Sequence, residues 1–151
     1  MSITFQLTSP VDLFEKLRRE AARLDQGVSA DNVFNFAVTA WHLYEWLKKK
    51  PGTWAPEQEA DLDTIRKSEY LQICRDIANA SKHYSLTYTP TAKDIVHVPG
   101  GIGRTKLGVS RLGKAKDTID IKTDVGRYEI INLKNRVIEL YEAFFREVPV
   151  N

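Results

Sequence analysis

Residues 33–47, VFNFAVTAWHLYEWL, are the most apolar stretch of the chain. Val33, Ala37, Ala40, Trp41, Tyr44 and Leu47 recur every three or four positions, which sets them on one face of a helix. Phe34, Phe36 and Leu43 widen that face. A helix that is apolar around so much of its circumference is covered on several sides, so this one is expected at the centre of a bundle. Asn35, Thr39, His42 and Glu45 interrupt the run, leaving it too short and too polar to span a bilayer. Ser29 is the expected N-cap, Lys48, Lys49 and Lys50 suit the negative end of the helix dipole, and Pro51-Gly52 break it. The helix is therefore expected over 30–49.

Working outward, Ser9-Pro10 opens a first helix over 10–26, with Asp12 in its first turn and Gly27 as its stop. Its stripe is Leu13, Leu17, Ala21 and Leu24. A third helix is expected over 56–84, acidic in its first half, with Leu62, Ile73, Ile77, Ala80 and Tyr84 as its apolar stripe. From Ser85 the pattern changes. SLTYT (85–89), DIVHV (94–98), DTIDIKT (117–123) and GRYEII (126–131) alternate or are rich in β-branched residues, as strands are. Asp124-Val125-Gly126 suits a turn between the last two. A final helix over 133–147 would bury Leu133, Val137, Leu140, Tyr141, Phe144 and Val148. The expected fold class is α+β, mainly helical. Residues 1–151 form one domain, a four-helix bundle with a small antiparallel sheet or hairpin, about 85–131, before the last helix.

Composition narrows the function. The chain has 151 residues, 42% hydrophobic and 28% charged, with a formal net charge of +2. That is the balance of a globular domain with one core, so nucleic-acid binding would need a local basic patch. Cys74 is the single cysteine, which excludes a disulfide scaffold and multi-cysteine zinc sites. The opening MSITFQLTSP lacks the basic start and apolar run of a signal peptide, so a cytoplasmic location is expected. His42, His83 and His97 are scattered, no H-E-x-x-H or paired-carboxylate motif occurs, and neither a metal nor a cofactor is expected.

CRDIANASKHY, residues 74–84, carries the candidate chemistry. On a helical wheel Arg75, Asn79, Lys82 and His83 share an arc that Asp76 closes, roughly 140° from the apolar side. A solvated polar face explains such an arc equally well. Helix two adds a polar stripe of Asn35, Thr39 and His42, with Trp46 one turn on. Were the two helices side by side, His42 and Glu45 would face Arg75, Asn79 and His83. Arg75 offers a fork that fits phosphate, and an imidazole such as that of His83 exchanges protons in general acid–base chemistry. Asn79 and His42 would position them. Together they suit attack of a ribose 2′-hydroxyl on its own phosphate without a metal. A second patch lies in residues 99–116, where Arg104, Lys106, Arg111, Lys114 and Lys116 occur with no acid. With Lys82 they could hold phosphates, although no aromatic lies among them to stack a base. GVSRLGK, residues 108–114, meets the spacing of a phosphate loop, but Ala115 stands where a magnesium-binding hydroxyl belongs.

AWHLYEW (40–46) followed by CRDIANASKH (74–83) resembles a group of largely uncharacterised bacterial and phage-associated helical proteins. More distantly, an Arg, a polar neighbour and a later His on one helix resemble the HEPN superfamily. That resemblance implies a helical bundle, often a homodimer. It also implies metal-independent RNA cleavage or RNA binding in toxin–antitoxin or phage-defence systems, with Arg75 and His83 as the working pair. The alternative is a non-enzymatic module that docks a cognate protein partner, a phage accessory or the product of a paired gene, through Arg75, His83 and Trp46.

Overall fold

A computed structural model of the chain describes residues 3–50, 54–100 and 117–146. Five helices and three strands run in the order α1 (Pro10–Gln26), α2 (Ala30–Lys49), α3 (Pro56–Lys67), α4 (Glu69–Lys82), β1 (Asp94–Val98), β2 (Thr118–Lys122), β3 (Arg127–Glu129) and α5 (Ile130–Arg146). The fold is mainly helical, with a three-stranded antiparallel sheet in the order β1-β2-β3.

The first two helices begin and end as their caps dictate. Ser9 accepts from the Asp12 backbone N–H while Asp12 Oδ2 accepts from the Ser9 N–H at 2.8 Å, a reciprocal capping box. Ser29 caps α2 through Asn32 N–H. Leu17 of α1 and Phe36, Ala40, Leu43 and Leu47 of α2 are wholly buried, and α2 packs against every other helix. The central position expected for residues 33–47 is the one observed. Tyr141 of α5 seals the core, donating its hydroxyl to the Ala40 carbonyl at 2.6 Å.

The long third helix is two helices, so the bundle has five rather than four. Ser68 leaves helical geometry at φ −61°, ψ 128°. No Gly or Pro stands at the break. On one continuous helix Leu71, Cys74 and Ala78 would lie roughly 180° from Leu62 and Ile65, while Ile73, also buried, would fall on the Leu62 side. Ala80 and Tyr84, expected in the stripe, are exposed, and Tyr84 is 107% accessible. α4 stops at Lys82, so helical spacing no longer projects Tyr84 inward.

Two further expectations are corrected. SLTYT is not a strand; its backbone runs irregularly beside α4. GRYEII is a strand only over Arg127–Glu129, and α5 starts at Ile130 instead of residue 133. Ile130 is buried, and the helix gains Lys134 as a buried member tied to Asp25 of α1. The turn at 124–126 forms as expected, closed by Thr123 N–H to the Gly126 carbonyl at 2.8 Å. Ile119 and Ile121 turn the inner face of β2 into the core. Tyr128 of β3 donates to Glu69, pinning the sheet to the start of α4. Val148 lies outside the described residues.

Candidate functional site

α4 carries a buried carboxylate where the sequence suggested a wet face. Asp76 is only 3% exposed. Its Oδ1 accepts from Arg75 Nη2 at 3.0 Å and from the Tyr88 hydroxyl at 2.9 Å. Its Oδ2 accepts the backbone N–H groups of Thr91 at 2.6 Å and Ala92 at 2.9 Å. A carboxylate is an acceptor with no proton to offer, so it suits a point where only donors converge. These bonds take the place of a strand ladder and hold residues 88–92 against α4.

The knot also fixes Arg75 and Asn79. The Arg75 guanidinium lies 4.6 Å above the Tyr88 ring, a cation–π stack. Asn79 Nδ2 donates to the Tyr88 hydroxyl at 3.1 Å. Tyr88 is therefore the hub of the site. Reading the sequence missed it, because it falls in the segment taken for a strand and its partner lies twelve positions away.

The Arg75–Tyr88 stack separates two hollows, Arg75 lining one and Tyr88 the other. One is a groove of about 490 Å³ that includes Trp41, Tyr44, Glu45, Lys48, Lys49 and Arg75. Arg66 and Lys67 close its other wall, bringing the cations to five against the single acid Glu45. Arg66 and Lys67 are both paired with Asp63 outside the lining. Lys48 and Lys49 have no ion-pair partner among the described residues. Trp41 is half-buried and packs on Tyr44 with ring centroids 5.2 Å apart. Burial pushes the Tyr44 hydroxyl above its ordinary pKa, so it stays neutral. The second hollow, about 270 Å³, is lined by Asn79, His83, Ser85, Leu86, Thr87 and Tyr88.

The expected site residues separate accordingly. Arg75 borders the groove, and Asn79 and His83 border the second hollow. His42 lines neither; it is exposed on α2. The α2 side that faces the groove is Trp41, Tyr44, Glu45 and Lys48, so of the two residues expected opposite Arg75 only Glu45 is there. Of the Asn35–Thr39–His42 stripe, Asn35 is exposed like His42, and only buried Thr39 meets α1, accepting from Lys16 Nζ at 3.0 Å. Trp46 packs partly against the core. Lys82 ends α4 and is exposed, while Arg104, Lys106, Arg111, Lys114 and Lys116 lie outside the described residues. The His83 imidazole has no hydrogen-bond partner among the described residues. Cys74 is wholly buried and its thiol is pushed up to about 12 by burial first and by Asp76 second, which makes it an inert core residue.

Among the described residues no cluster of three or more His, Cys, Asp or Glu could hold a metal, and no helix is long and apolar enough to cross a membrane. Compared with protein-family models, with curated proteins and with solved structures, the chain matches none.

Proposed function

We propose that this chain is an RNA-binding domain built on a HEPN-like helical framework, with the phosphate backbone seated in the groove between α2 and α4. One observation carries the reading: Lys48, Lys49, Arg66, Lys67 and Arg75 converge on one groove around a half-open Trp41. Clustered cations gain affinity for a polyanion by releasing its counterions, and an aromatic beside them adds a surface on which a base can stack. Arg75 suits phosphate best. Its Nε and Nη2 are spent on Asp76, its plane is held by Tyr88, and Nη1 has no partner among the described residues. A preoriented guanidinium loses less entropy on binding than a free one.

Fluorescence anisotropy with a labelled RNA, repeated over a salt series, tests this. The expected result is affinity that falls steeply with salt, and a Lys48→Glu/Lys49→Glu variant that binds at least tenfold more weakly while melting like the parent. Unaltered binding by that variant would remove the groove from the reading. Cleavage, with Arg75 on the phosphate and His83 moving the proton, is the stronger form of the same proposal. Its test is digestion of total RNA in EDTA by the parent and by His83→Ala; equal behaviour eliminates catalysis and leaves binding.

A further inference from the structure

We infer that the hollow at the end of α4 is a base-reading subsite, taking one unstacked nucleobase of a strand whose phosphates lie in the neighbouring groove. The inference rests on the RNA-binding reading and adds specificity to it. Charge is segregated across the Arg75–Tyr88 stack. The groove gathers five cations, whereas the hollow is lined by Asn79, Ser85, Leu86, Thr87, Tyr88 and His83, with no lysine, arginine or carboxylate. Phosphates favour the first and have no reason to enter the second; a neutral heterocycle with polar edges fits the second. Its 270 Å³ falls just below the ~300–1,000 Å³ typical of ligand pockets. That suits one base better than an oligonucleotide.

Asn79 supplies the readout. Its amide is half-buried and held by the Tyr88 hydroxyl, which accepts from Nδ2 while donating to Asp76. That bond restrains the amide. Its Oδ1 and its second N–H remain unpaired among the described residues. A neighbouring donor and acceptor in the plane of one amide is the arrangement by which Asn pairs with a base edge. Bases outside a helix expose those edges and stack on aromatic or imidazole rings. Here Tyr88 and the exposed His83 border the hollow and can supply that surface. The order along α4 places the phosphate ligand Arg75 one turn before the base reader Asn79, so one nucleotide can span both.

The experiment uses the full chain and labelled 12-nucleotide homopolymers of adenylate, cytidylate and uridylate in anisotropy titrations. The best and worst should differ by roughly tenfold, the discrimination of one good amide–base pair. Asn79→Ala should bring the best down to the level of the worst while leaving the salt dependence unchanged, because phosphate contacts are intact. Asn79→Ser is the substitute should the alanine variant not fold, and His83→Ala, at an exposed position, should lower the preference severalfold. Homopolymers bound equally within twofold, or folded Asn79 variants that keep the full preference, overturn the inference and leave RNA binding standing. No binding of any oligonucleotide overturns both.

Discussion

Asp76→Asn is the substitution most revealing of how this molecule is held together. The side chain keeps its shape, but one oxygen becomes an NH2 group. Every partner of Asp76 is a donor: Arg75 and Tyr88 on one oxygen, the Thr91 and Ala92 amides on the other. If the new nitrogen faces Thr91 and Ala92, both amides lose their acceptor; if it faces Arg75 and Tyr88, the guanidinium does, since the hydroxyl alone can turn to accept. A buried donor left unsatisfied costs about 1–3 kcal/mol, and two donors are affected, so the expected loss is about 2–4 kcal/mol. For a chain of this length that is a drop in Tm of roughly 5–15 °C. Urea denaturation measures it, with an unchanged slope against denaturant showing that only stability has moved. Hydrogen exchange should locate it, with the Thr91 and Ala92 amides losing protection before the amides of α2. A loss under about 0.5 kcal/mol, with those two amides still protected, would refute the argument that Asp76 organises residues 88–92.

Two other tests follow from buried groups. Cys74, wholly buried with its thiol pushed up to about 12, should resist a thiol reagent at pH 8 in the folded protein and react at once in urea; rapid labelling of folded protein would contradict its core position. Glu20 is buried among partners: burial acts to raise its pKa, but bonds from Lys16 and Arg23, both at 2.7 Å, outweigh it and leave the value below the usual one. A carboxylate with a lowered folded pKa stabilises above its unfolded pKa, and that contribution fades as pH falls through the folded value. Glu20→Gln should therefore melt below the parent at pH 7, and the gap should start to narrow only once the pH falls below the ordinary glutamate value of about 4.3; a gap that stays constant on further acidification would show that the charge is not what stabilises.

Much of the fold is legible in periodicity. The spans of α1 and α2, the burial of Phe36, Leu43 and Leu47, the turn at 124–126 and the strand character of 94–98 and 118–122 all follow from spacing and capping residues. These signals are local, and local preference and burial agree there. They fail where one residue answers to a distant partner. The break at Ser68 has no Gly or Pro to mark it. The irregular path of SLTYT depends on Asp76 capturing the Thr91 and Ala92 amides. Of the candidate site, the sequence singled out Arg75, Asn79 and His83 from a shared helical arc. It misplaced His42 and overlooked Tyr88 and the basic groove.

The sequence by itself determined which segments are helical or extended and which α4 residues share an arc, because side-chain direction repeats with a fixed period along each element. Only the tertiary structure decided which α2 face meets α4, that Lys48, Lys49, Arg66 and Lys67 join Arg75 around Trp41, and that Tyr88 folds back beneath the guanidinium. The physical reason is range. A helix sets its own pitch with hydrogen bonds four residues apart, whereas the rotation of one helix against another is set by the packing of the whole core.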